Sequence, residues 1–328
     1  MSPSSIDIVI IHRNTLGVTS ACIDSLLVCS LADNINIIVI DNGSDDDSID
    51  RLSECYPEVK IVKAGSNLGY SKACNLGAAH SASEFIVFSN SDVRYLPDTI
   101  EHLVSVMQGD ADVSMCGPQQ FYPDGSWQQS YDYFPGKRLA FRNILGVTAL
   151  WRLWKAKTIF MDTRILHSNP VVVEFLDGAV LAVRRTCLQA VGGFDERFFF
   201  FCEDVQLSYA LRGIGKKVVM VPSARVFHER GFTRRRNLAD DIRYMGANER
   251  ARAMFLRQHF HPFTTRFTLI ANTLYYGLIV VLITPRLLFS RGSTRSALQH
   301  RISVLQHLIA VCADELEYNY ETKHDTNT

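Results

Sequence analysis

The chain has 328 residues, of which 47% are hydrophobic and 21% charged, with 34 basic side chains balanced by 34 acidic ones. That composition excludes a disordered or low-complexity chain, and zero net charge leaves no global field to draw it to nucleic acid. The length allows a substantial core, either as one large domain or as one domain with an extension.

The first ninety residues alternate strand and helix signals. "IDIVIIH" reads as a buried strand, and "TSACIDSLLVCSL" has helical spacing after a Thr/Ser start. "INIIVIDNGS" is a second strand ending in turn residues, and "DDSIDRLSECYP" is a short helix closed by Pro57. "VKIVKAGSNLGYSKACNLGAAHSA" gives a strand, a glycine loop and a helix, and "EFIVFSNSD" a fourth strand. Strand–helix alternation of this kind predicts a mostly parallel sheet with helices on both faces, and ligands bind beyond the carboxyl ends of such strands. Polar clusters fall at those ends: His12-Arg13-Asn14, Asp41-Asn42, Ser66-Asn67 and Asn90-Ser91-Asp92. Four of them together fit a nucleotide-sized ligand better than four unrelated turns. The glycines form neither GxGxxG nor GxxxxGK[ST] at a strand–helix junction, which removes the main support for dinucleotide and P-loop readings.

Further along, "PDTIEHLVSVMQGDA" suggests a helix, and Pro123-Asp124-Gly125 a hairpin turn. Residues 137–170 are rich in aromatic and basic residues without a clear period and read as a variable loop or lid. "VVVEFLDGAVLAVRR" is strand-like, "TCLQAVGGF" a short helix closing on glycine, and a longer helix starts near Glu203. "KKVVMVPSARVFHERG" is a further strand with His228 at its end.

Three of these places, five residues in all, offer groups that can do chemistry. Asn90 and Asp92 offer oxygen donors at a strand end, which suits Mg²⁺ or Mn²⁺ carrying phosphate, although an Asx turn also explains them. Glu203-Asp204 opens a helix, where capping alone accounts for acidic residues. Beside the apolar run Phe198-Phe199-Phe200-Phe201, however, burial would raise their proton affinity and suit a general base. A lone histidine such as His228 is commonly structural, but its strand-end position favours a ligand. Basic residues predominate from Arg212 to Arg257 and include Arg234-Arg235-Arg236, forming either a solvated face or a phosphate-pairing one. The eight cysteines show no CxxC pair or zinc spacing, and Met1-Ser2-Pro3-Ser4-Ser5 leads straight into a strand without a signal peptide's apolar run. Both features fit a cytoplasmic protein whose cysteines are small buried apolar residues.

The segments "VIIHRN", "IVIDNGSDDDS", "SNLGYSKACNLG", "FSNSDV", "CGPQQFYPDGS", "EFLDGAVLAVRR", "VGGFDERFFFFCEDVQLSYALRGIG" and "VPSARVFHERG", in this order, resemble family 2 glycosyltransferases, in particular the bacterial rhamnosyltransferase-like branch. The resemblance covers about residues 6–258. It implies an α/β fold of GT-A type: a Rossmann-like, mixed but mostly parallel sheet flanked by helices, with a C-terminal helical extension. Residues 1–235 would form the catalytic domain and 236–328 the extension. It also implies site roles. Asp41 would bind the donor nucleobase, with the backbone of Ile11 and His12 close by. Asn67 and Gly69 would line the nucleotide site, and Asn90 and Asp92 stand at the DxD motif. Asp92 and His228 would hold a divalent metal, Mg²⁺ or Mn²⁺, on the donor diphosphate. Asp204 would be the general base, with Glu203 beside it. Three positions depart from the pattern: Asn90 replaces the first Asp of DxD, Gln206 replaces an Asp two residues after the base, and Asp177 stands where a small residue is frequent and is expected to face the acceptor.

The implied reaction is inverting transfer of a sugar, rhamnose in this branch, from a dTDP- or UDP-sugar to a glycan or lipid-linked acceptor in surface polysaccharide biosynthesis. Nucleic acid is not an expected partner. From Phe267 to Thr284 eighteen residues carry no charge, and "ALQHRISVLQHLIAVCADELE" repeats apolar residues at helical spacing. Peripheral contact with the inner face of the cell membrane is expected there, against a buried helical hairpin or a homo-oligomer interface. Two other functions compete: a sugar nucleotidyltransferase, whose glycine-rich signature "VIIHRNTLG" lacks, and a non-catalytic nucleotide-sugar-binding protein.

Overall fold

The computed structural model describes residues 5–136, 169–229 and 237–324. Most of the stretch read as a lid, together with Arg234-Arg235-Arg236 and the expected domain boundary at 235/236, lies outside the described residues. The described residues fall into two compact units, 5–132 with 169–229 and 133–136 with 237–324.

In the first unit, β1 (Ile6–His12), α1 (Leu16–Leu27), β2 (Ile35–Asp41), α2 (Ser48–Cys55), β3 (Lys60–Lys63), α3 (Tyr70–Ala79) and β4 (Phe85–Asn90) alternate as expected. Ile8 and Ile10 of β1 join one apolar cluster, and Val9 between them joins the other, because successive side chains leave a strand on opposite faces. Both faces of the sheet are thus covered, and the strands are apolar almost throughout. Strands β3, β2, β1 and β4 pair in parallel, with Ile11 level with Asn90 and His12 level with Asp41.

The chain continues through β5 (Val93–Tyr95), α4 (Thr99–Gly109), β6 (Val113–Phe121), β7 (Trp127–Gln128) and β8 (Tyr131–Asp132). It resumes as β9 (Val171–Val172), β10 (Phe175–Leu176), β11 (Val180–Arg184), α5 (Arg185–Ala190), α6 (Glu203–Gly213) and β12 (Lys217–His228). The run read as strand-like, "VVVEFLDGAVLAVRR", is therefore three short strands, and the chain turns at Asp177-Gly178, a dipeptide that itself favours a turn. Strand β11 enters the sheet antiparallel between β4 and β6, with Val180 level with Ser89. Its start, and the Asp177-Gly178 turn before it, therefore lie at the carboxyl end of β4. Strand β12 runs parallel to β6 and antiparallel to β5, which sets His228 level with Val93. Pro222 falls in the register shift between Val221 and Arg225, where a residue without an N–H removes no regular ladder bond. Seven of the eight cysteines are buried as expected; Cys55, at the end of α2, is exposed instead.

The second unit contains α7 (Leu238–His259), α8 (Pro262–Ile283), α9 (Arg286–Phe289) and α10 (Gly292–His324). Asn237 caps α7 by accepting from Asp240 N at 2.9 Å, and Pro262 opens α8 at a position whose N–H has no helical partner. Helices α7, α8 and α10 pack on one another, with Ile279, Ile283 and Leu305 in the shared core.

Candidate active site

The carboxyl ends of β1, β2 and β4 lie side by side. The backbone of Ile11 and His12 is there, but the His12 ring points inward: it is fully buried, with Nδ1 2.7 Å from Thr19 Oγ1 and Nε2 2.8 Å from Ser48 Oγ. Burial lowers its proton affinity, against the raising effect of Asp41 and Asp46. At this edge His12 contributes backbone, its carbonyl accepting from Asn42 N at 2.8 Å. Asp41 accepts from Ser44 N at 2.8 Å through Oδ1, which fixes the turn after β2.

Asn42 ties that turn to the glycine loop. Its Oδ1 accepts from Leu68 N at 2.8 Å, and its Nδ2 donates to Asn67 Oδ1 and to Gly69 O, both at 3.3 Å. Asn67 also accepts from Gly69 N at 3.0 Å and is itself exposed. Gly69 has φ +81°, and a Cβ there would lie 2.5 Å from Phe199 O, which accepts from Tyr70 N at 2.8 Å. The loop expected to line a nucleotide is thus fastened at both ends, to Asn42 and to the 198–202 turn.

The backbone leaves the extended form after Asn90: Ser91-Asp92 is a turn, so Asn90 and Asp92 do not share one strand face as their spacing suggests. Asp92 is placed instead by β12. Its carbonyl accepts from Glu229 N at 3.0 Å, and its Oδ1 is 3.4 Å from His228 Nε2, with both side chains nearly buried. Two glutamines that sequence reading passed over hold the other side of His228. Gln128 Nε2 donates to His228 O at 3.2 Å, so Gln128 Oε1 is the atom 2.7 Å from His228 Nδ1. Gln120 Oε1 lies 3.3 Å from the same nitrogen. Amide oxygens only accept, hence Nδ1 carries a proton and Nε2 is the nitrogen turned to the Asp92 carboxylate. Two lone-pair donors held in this way repel unless a proton or cation lies between them. An imidazole whose far N–H is fixed by an oxygen is the usual support for a metal ligand. Cis ligands at about 2.1 Å from an octahedral cation stand about 3 Å apart, close to this spacing. Among the described residues no group of three or more His, Cys, Asp or Glu forms a complete cage.

Gln120 also reaches the acidic end of the site, its Nε2 donating to Asp177 Oδ1 at 3.5 Å. Asp177 adjoins Gly178, whose N–H donates to Asp204 Oδ2 at 2.8 Å, while Asp204 Oδ1 accepts from Val205 N at 2.8 Å. Burial raises the proton affinity of Asp204, the Asp177 charge adds to it, and the backbone donors oppose. Asp204 stays partly accessible, whereas Glu203 is buried beside Tyr70 and Cys74, and its Oε2 has no hydrogen-bond partner. The two adjacent carboxylates therefore point into different surroundings. The burial does not come from a wall of four phenylalanines as expected. Phe198 is buried, but Phe199 and Phe200 are exposed, and the chain turns through positive φ at Phe201 and Cys202 before α6.

Residues 7–168 match Glycosyl transferase family 2. An N-acetylglucosaminyl-diphospho-decaprenol L-rhamnosyltransferase of Mycobacterium tuberculosis is 30% identical over 234 residues, spanning 68% of this chain and 74% of that protein. The chain is a family 2 glycosyltransferase. The O-antigen chain rhamnosyltransferase WbaN of Salmonella anatum is 22% identical, covering 61% of this glycosyltransferase and 58% of WbaN. In fold the enzyme is similar to the mannosyltransferase PcManGT of Pyrobaculum calidifontis, solved with GDP-Man and Mn²⁺, at a TM-score of 0.59 and 17% identity over 95% of this chain and 87% of that one. The architecture is GT-A, as the sequence motifs implied. Membership in this family sets aside the nucleotidyltransferase and the non-catalytic binding protein.

Proposed function

We propose that this glycosyltransferase moves a sugar, rhamnose by its relatives, from a dTDP- or UDP-sugar to a glycan or lipid-linked acceptor in surface polysaccharide biosynthesis, by a single inverting displacement. One observation carries the reading: a contact chain, Asp204–Gly178–Asp177–Gln120–His228–Asp92, connects a carboxylate of raised proton affinity to a carboxylate–imidazole pair suited to a cation. Asp204 takes the proton from the acceptor hydroxyl, whose oxygen bonds to the anomeric carbon of the donor. The bond from that carbon to the diphosphate oxygen breaks, and the nucleoside diphosphate leaves with the electron pair. Asp92 and His228 would hold Mg²⁺ or Mn²⁺, which when bound neutralises charge on the leaving diphosphate. Asn90 lies beside them, and Asp41, Asn67, Gly69 and the backbone of Ile11 and His12 form the nucleotide's side of the cleft. Asp177 holds Gln120 and strengthens Asp204 as a base by its charge. Glu203, whose proton affinity is raised by burial and by the Asp204 and Asp177 charges, stands beside the base at the start of α6.

We place the reaction at the cytoplasmic membrane face, where a lipid-linked acceptor is presented. Purified enzyme should transfer label from one nucleotide sugar in a panel to such an acceptor, with Mn²⁺ or Mg²⁺ required and chelator inhibiting. Transfer unaffected by chelator would overturn the metal assignment, and release of monophosphate rather than diphosphate would overturn the displacement.

A further inference from the structure

The first half of α8 buries polar side chains while large apolar ones face outward. A helix of a soluble unit turns its apolar stripe inward and its polar residues to water. In the first half of α8 the buried residues include Thr264, Thr265, Thr268 and Asn272. They are satisfied within the helical unit: Thr265 Oγ1 donates to Leu256 O at 3.1 Å, and Asn272 Nδ2 donates to Glu249 Oε1 at 2.7 Å. Glu249 is itself buried and also accepts from Tyr276 OH at 3.0 Å. The outward face carries Phe263, Ile270, Leu274, Leu278 and Val281, all exposed. It continues past the turn at Thr284-Pro285 to Leu288 and Phe289, which are 82% and 89% exposed. Pro262–Phe289 is also long and apolar enough to cross a bilayer by length and composition.

Charge selects the occupant of this face. From Arg250 to Ala313 there is no Asp or Glu, and there are eight arginines. Arg266, Arg286, Arg291 and Arg295 are exposed near the two ends of the apolar stripe. A twofold pairing with a second copy would bring arginines toward arginines with no acid in the segment to offset them. An anionic lipid surface has the opposite sign and accepts the apolar residues between its headgroups. A spanning orientation is disfavoured because one side of α8 is engaged with Glu249 and the core at Ile279, Ile283 and Leu305.

We propose that α8 lies in the plane of an anionic membrane surface, its outward stripe seated in the headgroup region, with Leu288-Phe289 as the inserting tip and the flanking arginines on lipid phosphates. The inference rests on the membrane-face reading above and names its physical contact.

The test is flotation of the full-length enzyme with phosphatidylcholine vesicles, with and without about 30% phosphatidylglycerol. Wild type should float with the anionic vesicles. Leu288→Ser/Phe289→Ser should bind them about tenfold or more weakly, because two inserted apolar side chains are lost. Arg291→Gln/Arg295→Gln should lose about tenfold on anionic vesicles and almost nothing on neutral ones. Both variants replace exposed side chains, so nucleotide-sugar affinity should stay at the wild-type value and report an intact fold. Wild-type flotation with undiminished binding by Leu288→Ser/Phe289→Ser would overturn this contact and leave the membrane-face reading standing. Wild type that remains in the aqueous phase would overturn both. If it also sediments as a dimer that Leu274→Gln splits, the face is an interface between copies.

Discussion

His228 Nε2 stands 3.4 Å from Asp92 Oδ1, while His228 Nδ1 is held 2.7 Å from Gln128 Oε1. The glutamine makes Nδ1 a donor and orients the ring, so that Nε2 is the nitrogen the carboxylate faces. Gln128→Met keeps the buried volume and removes the acceptor. Mn²⁺ affinity in the presence of nucleoside diphosphate should fall by about 10–100-fold. Gln128→Glu retains an acceptor for Nδ1 and should keep more of that affinity. Titration followed by the Mn²⁺ paramagnetic signal measures both, and equal affinity in wild type and Gln128→Met would remove the support role.

Gly69 is needed for two reasons that a pair of alanine variants separates. Gly69→Ala puts a methyl at positive φ and 2.5 Å from Phe199 O, whereas Gly125→Ala meets positive φ with nothing within 4 Å. Gly125→Ala should cost about 1 kcal/mol of backbone strain. Gly69→Ala should cost about 2–3 kcal/mol and weaken nucleotide binding as well, because the 66–69 loop must move away from the 198–202 turn. Thermal melts and nucleotide titrations check this, and equal penalties would mean that the close approach to Phe199 is unimportant.

The buried Glu203 predicts a pH dependence of stability. Burial first, then the charges of Asp204 and Asp177, raise its proton affinity. A carboxyl raised in the folded state stabilises fully below its unfolded value, about pH 4.3, and that contribution is lost as pH rises through the folded value. Glu203→Gln cannot ionise. Its melting temperature relative to wild type should therefore climb as pH is raised from about 4 through neutrality. Melts at a series of pH values test it, and a constant difference between the two proteins would show that Glu203 is not strained by ionisation.

How much of this was legible in the sequence varies by residue. The strands β1, β2 and β4 announce themselves because fully buried parallel strands are continuous apolar runs, and their polar ends follow directly. The Asp177-Gly178 pair is itself a turn signal, and the apolar residues on either side of it masked the break. Gln120 and Gln128 drew no role from the hairpin reading; the pairing of β6 with β7 and β12 buries them against His228. The motif "CGPQQFYPDGS" did contain Gln120, but its partner is 108 residues away, a relation no local pattern encodes. Asp204 was recognisable at a helix start, while the setting of Glu203, beside Tyr70 and Cys74 of α3, comes from a distant part of the chain.

The general base is the centre of the account, and Asp204→Asn tests it most directly. Both Asp204 oxygens accept backbone N–H groups, from Gly178 and Val205, so the amide turns its NH₂ toward one of them. A loss of about 1 kcal/mol of stability is therefore expected and must be measured by melting alongside activity. Donor affinity, which depends on Asp92 and the nucleotide loop, should survive. The single-turnover transfer rate to acceptor should fall by about 10²–10⁴-fold, the usual contribution of a positioned base. Folded Asp204→Asn enzyme that binds donor and transfers at close to the wild-type rate would contradict the assignment.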